Sequence, residues 1–259
     1  MLHNLTPKVD YKSAYFQTNI YIDSSPLKKA FEIFMSRPLS VRKKYSQIHF
    51  DCGFDGYSFL GMPNSTNQYA SDLLHSFVLS ELNDRALFPE EFQTFLKSYW
   101  DDLTNTIFNI EQAIILQLPK KFRSPILNFH KEHMGYCASL NYYPKIKKRK
   151  HNTRLSQHKD VSLISVFPFG IDEGLQIEIA NDQWITVEPT KKAIAFTGYL
   201  CQLLTNNQVK ASNHRVLFNP HNESKRYSYV FFSLPRPNVQ IPVIDCSSKD
   251  YFKSYLKLF

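Results

Sequence analysis

The spacing of apolar residues changes near Met134 and divides the chain into two patterns. Before that point, apolar positions recur every three or four residues, which is the period of one helix face. We predict a helix over Leu27–Met35, because the segment keeps that period and Pro26 suits a first helical turn. A longer helix is predicted over Pro89–Leu118, and Pro119 ends it. The first half of the chain is therefore expected to be mostly helical.

Two shorter segments lie between these helices. Tyr57 and Phe59 alternate with polar residues inside Gly53–Gly61, a pattern that fits a short strand or a loop. Asp72–Leu82 has the character of a short amphipathic segment. Both segments are taken as parts of a helical N-terminal layer.

After Met134 the apolar period falls to two and the segments shorten, as in β-strands whose alternate side chains face a core. Strands are predicted at Tyr136–Tyr143, Ser162–Phe167, Gly174–Ile179, Trp184–Val187, Ala193–Thr197, His214–Phe218 and Arg226–Leu234. Turn residues separate them, including Ala180–Gln183 and Asn219–Asn222. So many short strands predict a β-sandwich or jelly roll. No internal repeat or low-complexity linker interrupts the chain, so we expect one compact unit.

Composition indicates a globular protein with a sizeable core. The chain has 259 residues, of which 43% are hydrophobic and 15% aromatic. Its first residues show no apolar run preceded by positive charge, and its longest apolar runs are too short to span a bilayer. The four cysteines lie far apart, which indicates neither a disulfide framework nor a zinc knuckle. We therefore expect a cytoplasmic protein without a membrane partner, with reduced thiols.

The formal net charge of +8 is unevenly distributed. Eleven of the 31 Lys and Arg residues fall between Lys120 and Lys159, where Glu132 is the only acid, and Lys145–Lys150 is the densest run. Such a run can bind nucleic acid, attract an acidic substrate or form a solvated loop. No aromatic residues interleave with this run to stack bases, which favours the solvated loop. Nucleic acid is therefore not expected as a partner.

One group of side chains gives the chain a candidate chemistry. His158 and Asp160 stand two residues apart, so on an extended segment both point to the same side. His214, at the head of a later strand, completes the group if that strand is a neighbour. Two imidazoles and one carboxylate suit iron(II) and leave other coordination positions open to substrates. A lone histidine is more often a buried, hydrogen-bonded residue than a ligand, so the prediction rests on the combination.

Arg226 and Ser228 form a second candidate pair, also two residues apart on one predicted strand. They would present a guanidinium fork and a hydroxyl to a small carboxylate. The alternative is a surface arginine paired with Glu223. Ser228 on the same side of the strand favours the carboxylate site.

Four further histidines suit a metal site less well. His151 and His221 lie in polar, turn-like stretches and are expected to be solvated. His130 and His133 are three residues apart near Glu132 and could pair on a helix, but they lack a third ligand of their own. We expect this pair at the protein surface.

The order and spacing of these residues resemble the isopenicillin N synthase-like family of Fe(II)- and 2-oxoglutarate-dependent oxygenases. The similar stretches are Asn141–Pro144, His158–Leu163, Gly174–Gln176, Leu204–Asn207, His214–Val216 and Arg226–Ser228. They cover most of residues 136–237. A weaker resemblance extends to Tyr15–Phe16, Phe34–Tyr45, Gly56–Gly61 and Asp72–Phe77. Family members begin with a strand and a helix, whereas only about fourteen residues precede Tyr15 here, so that layer is expected to be trimmed or completed by a partner subunit.

The resemblance implies a double-stranded β-helix, the jelly-roll or cupin-like core, with a helical layer on one side. Residues 121–259 would form this core and end in a C-terminal helix. Residues 1–120 would form a helical or mixed region that packs on the core and is shorter than in the family. We expect the protein to be a monomer or a homodimer.

The resemblance also assigns roles to the candidate residues. His158, Asp160 and His214 would be the catalytic iron ligands. Arg226 and Ser228 would bind the distal carboxylate of 2-oxoglutarate. Tyr143 and Asn141 resemble residues that help seat the cosubstrate or the substrate. With Fe(II), 2-oxoglutarate and O2, such a site hydroxylates, desaturates or cyclises an unactivated carbon of a small metabolite such as an amino acid or a peptide, and a carboxylate at Asp160 argues against halogenation.

Three other readings stay open from the sequence. Val161–Val166 and Leu204–Val216 are also similar to isopenicillin N synthase itself, which oxidises a thiol-bearing tripeptide without 2-oxoglutarate. An oxidative demethylase of nucleic acids would use the basic run Lys145–Lys150 to bind phosphates. A binding module would keep the barrel without using a metal. Arg226 with Ser228 favours the 2-oxoglutarate-dependent reading.

Overall fold

The computed structural model describes residues 7–12, 14–46, 54–59, 72–145, 152–218, 225–241 and 243–257. Its strands are β1 (Val9–Lys12), β2 (Tyr15–Tyr21), β3 (Gly56–Ser58), β4 (His75–Ser80), β5 (Met134–Tyr143), β6 (Thr153–His158), β7 (Ile164–Phe167), β8 (Leu175–Ala180), β9 (Gln183–Thr186), β10 (Lys192–Thr197), β11 (His214–Leu217), β12 (Arg226–Pro235), β13 (Gln240–Ile241) and β14 (Cys246–Ser247). Its helices are α1 (Ser25–Ser36), α2 (Leu39–Arg42), α3 (Glu90–Ser98), α4 (Trp100–Ile115), α5 (Lys120–His133), α6 (Tyr199–Leu204) and α7 (Ser248–Leu256). The prediction of a mainly β fold with flanking helices is confirmed.

The two larger sheets are antiparallel and pack against each other. The larger sheet has the strand order β1-β2-β10-β7-β12-β5-β4-β3, and the smaller has the order β6-β11-β8-β9. Both contribute to one apolar cluster, in which Ile177 and Val216 of the smaller sheet meet Phe196 and Val230 of the larger. Because alternate residues of each strand face inward, the space between the sheets holds this cluster and a cavity. This arrangement fits the predicted jelly roll.

Strand β12 connects the helical layer to that cavity. On its outer face, Tyr227 contacts Phe31 of α1 with ring centroids 6.0 Å apart, and Phe231 contacts Trp100 of α4 at 5.6 Å. Each fully buried aromatic side chain of this kind contributes about 1.5–3 kcal/mol. The alternate residues of β12 line the cavity on its inner face. The helices therefore fix the position of the strand that carries Arg226.

The predicted helix over residues 89–118 is divided into α3 and α4 at Tyr99, so the prediction of one continuous helix was wrong. Tyr99 has φ −130° and ψ −24°, outside the helical range. The break turns Trp100 into the core, where it packs against Phe95 and Phe231. The apolar period continues through the break, so the pattern gave no sign of it.

Strands from the N-terminal part complete the larger sheet, so the expectation of a mostly helical first half was incomplete. β2 pairs with β10, and β4 pairs with β5. β4 occupies most of Asp72–Leu82, the segment interpreted as amphipathic. Five of its six residues are buried, and because both of its faces are covered, no alternation marks it as a strand. The division of the chain at residue 120 stays a prediction.

His130 belongs to a buried cluster, so the expectation that it lies at the surface was wrong. It is 2% exposed, and its Nε2 lies 2.6 Å from Oε2 of Glu111. The hydroxyl of Tyr136 donates to the same oxygen at 3.0 Å, and the ring of Phe108 stacks on the imidazole. The cluster joins α4 to α5 and β5. The side chain of His133 is 44% exposed, in line with the expectation.

Several residues named from the sequence lie outside the described residues. They are His151, His221, Glu223, Cys52, the turn at 219–222 and residues 146–150 of the basic run. Over the part of the chain that is described, no helix has the length and apolar character needed to cross a membrane. Cys137 and Cys201 are buried free thiols, and burial raises the pKa of the Cys201 thiol to about 12.

A buried carboxyl group fastens β3 to the end of β4. Asp55 is fully buried, and its Oδ2 accepts hydrogen bonds from Ser80 Oγ at 2.6 Å and from Asn83 Nδ2 at 2.5 Å. Its Oδ1 is buried without a hydrogen-bond partner among the described residues. Burial raises the pKa of Asp55 to about 6, although both hydrogen bonds act in the opposite direction. The folded protein therefore retains a proton that the unfolded chain releases above its ordinary pKa of 3.8.

This proton makes the free energy of unfolding fall as pH rises from about 4 to about 6, by roughly 3 kcal/mol. Asp55→Asn keeps an uncharged group at the position and should remove that part of the pH dependence. Urea unfolding of both proteins between pH 4 and pH 8 measures the difference. Asp102→Asn, at an exposed position of α4, should keep the wild-type profile. Parallel profiles for wild type and Asp55→Asn would contradict the prediction.

Candidate metal centre and carboxylate site

Two neighbouring strands bring the histidines of the candidate centre together. His158 ends β6, His214 begins β11, and the two residues are partners across this antiparallel pair. The next partners are Val216 and Leu155, so two steps along β11 correspond to three along β6. Such an irregularity re-aims side chains and is frequent beside active sites. Asp160 follows two residues after β6, in the loop that leads toward β7.

The three side chains converge on one point. Oδ1 of Asp160 lies 3.5 Å from Nε2 of His158 and 3.8 Å from Nε2 of His214. The two imidazole centroids are 4.3 Å apart. One possible ligand atom from each residue lies within 4.8 Å of the others. Their role as ligands stays a prediction, and the structure supplies the proximity that this role requires.

Backbone carbonyls fix the orientation of both imidazoles. Nδ1 of His158 lies 2.8 Å from the carbonyl oxygen of Ser156, and Nδ1 of His214 lies 3.2 Å from that of Ser212. A carbonyl oxygen can only accept, so each Nδ1 carries the proton. When neutral, each ring presents the lone pair of Nε2 to the centre. This is the tautomer that a metal ligand needs, held by an outer hydrogen bond.

Two serines that the sequence reasoning missed hold the carboxylate. Ser165 Oγ donates to Oδ2 of Asp160 at 2.6 Å, and Ser162 Oγ lies 2.7 Å from Ser165 Oγ. Oδ1 is thereby left toward the histidines. Gly198 permits the close packing of this loop, because a Cβ there would lie 2.1 Å from the Ser162 carbonyl oxygen. Serines inside an apolar alternation carried no signal that could have identified them.

The burial of the centre determines its protonation. Burial lowers the pKa of His158, but the hydrogen bond and charge of Asp160 outweigh this effect and leave the pKa above 6.5. Burial lowers the pKa of His214 to about 4, because the Asp160 charge compensates only in part. Burial alone would raise the pKa of Asp160, but the two histidines and the hydrogen bond from Ser165 outweigh this effect and leave the pKa below 3.8. At pH 6 the metal-free centre therefore holds one extra proton, on His158.

Arg226 and Ser228 face the same cavity from β12. Arg226 pairs with Tyr143 of β5 and Ser228 pairs with Asn141, so the four predicted residues stand opposite one another. Arg226 is 9% exposed, and its guanidinium carbon lies 5.0 Å from the Tyr143 ring centroid. Its burial argues against the surface-arginine alternative. Burial also raises the pKa of Tyr143, against the effect of the Arg226 charge, so the hydroxyl keeps its proton.

The guanidinium of Arg226 has unused donors. Its Nε and Nη1 are buried and have no hydrogen-bond partner among the described residues. A buried donor without a partner costs about 1–3 kcal/mol, and more when it is charged. A carboxylate accepts strong, charge-assisted hydrogen bonds from such guanidinium donors. The position therefore has the properties of a binding site for a small carboxylate.

The cavity between the sheets connects the two groups and encloses about 80 Å³. Phe232 of β12 marks the level of the candidate centre, because it is the strand partner of Ser165, whose hydroxyl donates to Asp160. Arg226 and Ser228 precede Phe232 along β12, and Leu234 follows it. The candidate centre therefore lies between a polar end and an apolar end. We take as the apolar end the lining residues Phe54, Cys137, Val161, Leu234 and Tyr255.

Binding of a divalent metal should displace the proton on His158, because a bound imidazole must be neutral. At pH 6 we expect about one proton released per metal ion, since the pKa of His158 lies above 6.5 while that of His214 is about 4. Well above the His158 pKa the release should disappear. Calorimetric titration with Co(II) in buffers of different ionisation enthalpy counts these protons. A release of two protons at pH 6, or of none, would contradict this protonation state.

Residues 134–235 match the family model described as the 2OG-Fe(II) oxygenase superfamily. The matched segment runs from the first residue of β5 to the last residue of β12. It therefore contains the three converging side chains and the four residues of the polar end.

Curated proteins resemble the chain over part of their length. Jasmonate-induced oxygenase 3 of Arabidopsis thaliana is 39% identical over 113 residues, which are 43% of this chain and 31% of that protein. Jasmonate-induced oxygenase 2 of the same plant is 29% identical over 215 residues, 80% of this chain and 57% of that protein. Gibberellin 2-beta-dioxygenase 3, also from Arabidopsis thaliana, is 25% identical over 62% of this chain and 48% of its own length. The chain spans about half the length of the curated relatives it matches.

Solved structures share the fold. The crystal structure of JOX2 in complex with 2OG, Fe and JA superposes with a TM-score of 0.71 at 23% identity, over 94% of this chain and 78% of that one. A putative oxygenase from Shewanella oneidensis gives a TM-score of 0.71 at 16% identity, over 93% and 88% of the two chains. The predicted jelly-roll class is confirmed by these likenesses.

Proposed function

We propose, from the match of residues 134–235 to the 2OG-Fe(II) oxygenase superfamily, that the protein is an Fe(II)- and 2-oxoglutarate-dependent dioxygenase. It oxidises an unactivated carbon of a small organic metabolite, by hydroxylation, desaturation or cyclisation. Amino acids and peptides are the first substrates to test. The chain spans only part of the length of its curated relatives. The proposal therefore concerns this chain alone.

Iron fits the three donors that His158, Asp160 and His214 turn toward one another. When bound, Fe(II) supplies the activation of O2 that couples oxidative decarboxylation of 2-oxoglutarate, to succinate and carbon dioxide, with oxidation of the substrate. The protein's own residues contribute position. The Ser156 and Ser212 carbonyls hold the two rings, Ser165 holds the carboxylate, and the surrounding cluster limits the access of water.

The observation that carries the proposal is the burial of Arg226 with two unpartnered donors. A buried guanidinium with two unused donors favours an anion inside the cavity. A dicarboxylate whose other end reaches the metal centre meets both requirements at once. We assign the distal carboxylate of 2-oxoglutarate to Arg226 and Ser228. Tyr143 and Asn141, which face this pair from β5, would hold the cosubstrate from the opposite side.

The alternatives predict different requirements for activity. An oxidase of the isopenicillin N synthase type keeps a similar arginine–serine pair, but it would consume O2 without 2-oxoglutarate and would form no succinate. A nucleic-acid demethylase would rely on the basic run Lys145–Lys150, most of which lies outside the described residues. A binding module without a metal has no need of the orientation of His158 and His214. Formation of succinate that depends on Fe(II), O2 and 2-oxoglutarate tests the proposal against all three.

The apolar end of the cavity indicates how the organic substrate is presented. Beyond the metal centre, the described lining residues offer carbon and sulfur atoms and the Tyr255 hydroxyl, but no charged group. A buried, unpaired charge in this space would be strongly unfavourable. We therefore propose that the substrate places an uncharged alkyl or aryl group beside the metal. The sequence-based expectations of a cytoplasmic monomer or homodimer without nucleic acid are retained as part of the proposal.

Replacement of Arg226 by Lys should selectively weaken the binding of 2-oxoglutarate. Lysine keeps the charge but cannot form the two parallel hydrogen bonds, and loss of one partner of a buried charged pair costs about 2–5 kcal/mol. We expect the dissociation constant of 2-oxoglutarate to rise at least about 30-fold, while Co(II) binding changes little. Titration of 2-oxoglutarate into the Co(II)-loaded protein under argon measures the change.

The matched control is Arg215→Lys. Arg215 lies on β11 beside His214, but its guanidinium packs on the Trp184 ring at 4.1 Å and donates to Gln176, away from the cavity. This variant should bind 2-oxoglutarate as the wild type does. Equal effects of the two substitutions, or no effect of Arg226→Lys, would refute the assigned carboxylate site.

Two substrates that differ only in the charge at the end of the side chain should stimulate succinate release to clearly different extents. Among otherwise identical amino acids, one with an n-butyl side chain should stimulate succinate release more than one with an aminobutyl side chain. The ammonium would have to be buried without a partner, which costs several kcal/mol and implies a difference of about 100-fold in kcat/KM. A screen of such pairs with Fe(II), O2 and 2-oxoglutarate gives the comparison. A consistent preference for the charged members would contradict the proposed apolar end.

A further inference from the structure

The C-terminal helix α7 reaches the loop that carries Asp160. Tyr251 and Tyr255 are four residues apart and therefore lie on one face of α7. The hydroxyl of Tyr251 donates to the carbonyl oxygen of Val161, and that of Tyr255 donates to the carbonyl oxygen of Lys159 at 2.6 Å. These two carbonyls belong to the residues immediately before and after Asp160.

The carbonyl oxygen of Asp160, between these two, also accepts a hydrogen bond. The backbone N–H of Tyr199, at the first turn of α6, donates to it at 2.7 Å. Three consecutive carbonyls are thus held by three tyrosine residues, two through hydroxyls and one through the main chain. The Tyr199 ring also packs between the two helix tyrosines, with centroids 6.5 Å from Tyr251 and 6.1 Å from Tyr255. The peptide groups on both sides of Asp160 therefore have little freedom to rotate.

The position of this clamp relative to the centre gives it a specific consequence. The Asp160 side chain is fixed at one end by Ser165, through Oδ2, and at the other end by its own backbone. Its Oδ1 stands 3.5 and 3.8 Å from the two imidazole nitrogens. A rotation of the 159–161 peptides would displace Oδ1 directly. Tyr255 also lines the apolar end of the cavity, so α7 forms the wall of the site as well as the support of its carboxylate.

The helix is itself anchored in the fold. Ser247 caps its first turn by accepting from the N–H of Asp250 at 3.1 Å. Tyr251 and Tyr255 are 1% and 2% exposed, and Phe252 packs on Phe54 with ring centroids 5.1 Å apart. Because α7 is held at its start and along its buried face, its two hydroxyls are fixed donors and can define the path of the loop.

We infer that Tyr251 and Tyr255 are positioning residues of the metal centre, which act by holding the backbone on both sides of Asp160. The inference rests on the proposed function only in taking the three side chains as a divalent metal site. It makes the C-terminal helix a part of the metal-binding apparatus, although α7 supplies no ligand. Outer hydrogen bonds of this kind typically change metal affinity by 10–100-fold when they are removed.

Tyrosine-to-phenylalanine variants test the inference without removing the rings. Tyr255→Phe and Tyr251→Phe should each raise the dissociation constant of Co(II) about tenfold or more. Each should also shift the visible absorption spectrum of the Co(II)-loaded protein, because the geometry of the carboxylate changes. Co(II) is the probe, so neither 2-oxoglutarate nor an organic substrate is needed. Urea unfolding of each metal-free variant measures the accompanying loss of stability.

Tyr136→Phe is the matched control. Tyr136 is also buried, and its hydroxyl donates to the carboxylate of Glu111 on the helical side of the larger sheet. Its loss should lower the free energy of unfolding by an amount comparable with the other two substitutions, because each removes one buried hydrogen bond. Co(II) affinity and spectrum should stay at their wild-type values. This control separates a general loss of stability from a change at the metal centre.

The outcomes are distinct. The inference is overturned if Tyr251→Phe and Tyr255→Phe keep the wild-type Co(II) affinity and spectrum, if Tyr136→Phe changes them equally, or if the wild type binds no Co(II). Should one variant fail to fold, the other is judged alone on the same two readouts. If the wild type binds Co(II) with these responses but forms no succinate from 2-oxoglutarate, the proposed function fails while the positioning role stands.

Discussion

The register between β6 and β11 is the constraint on which the candidate centre depends. His158 and His214 are partners in this register, and Leu155 and Val216 are partners further along the same strands. A slip by one residue would turn the side chains of one strand to the opposite face. The apolar residues between the sheets oppose such a slip, because it would expose Leu155 or Val216 to water. Burial in the core therefore secures the geometry of a polar site.

The site is also defined by which of its polar groups already have partners. Among the described residues, both Nδ1 atoms, Oδ2 of Asp160 and the carbonyls around Asp160 are satisfied within the protein. At the cavity, the two Nε2 atoms and Oδ1 of Asp160 meet one another, and two nitrogens of Arg226 have no partner among the described residues. Since unpaired polar groups in an apolar interior are costly, this grouping supports the proposal of a metal ion and a carboxylate at the two ends of one small space.

The sequence predicted the parts of the structure in which local alternation decides the outcome. Most strands after Met134 lie within about two residues of their expected bounds, because each has one buried face that the pattern records. The i, i+2 spacing identified Arg226 and Ser228, which share a strand face, and His158 and Asp160, which converge although Asp160 lies in the loop after β6. β4 was missed as a strand because it is buried on both faces. The break at Tyr99 was missed because the apolar period continues through it without interruption.

The residues that support the site could not be predicted, for a different physical reason. A histidine or an arginine at an inward position of a strand is chemically unusual there, so the sequence marks it. Ser165 and Tyr251 are ordinary residues in an apolar setting, and their contacts depend on the fold. Tyr251 and Tyr255 bind carbonyls of residues 90 and 96 positions earlier in the chain. Every residue has a main-chain carbonyl, so the sequence does not show which carbonyl a tyrosine hydroxyl will bind. The residues that support the centre can be identified only from the folded structure.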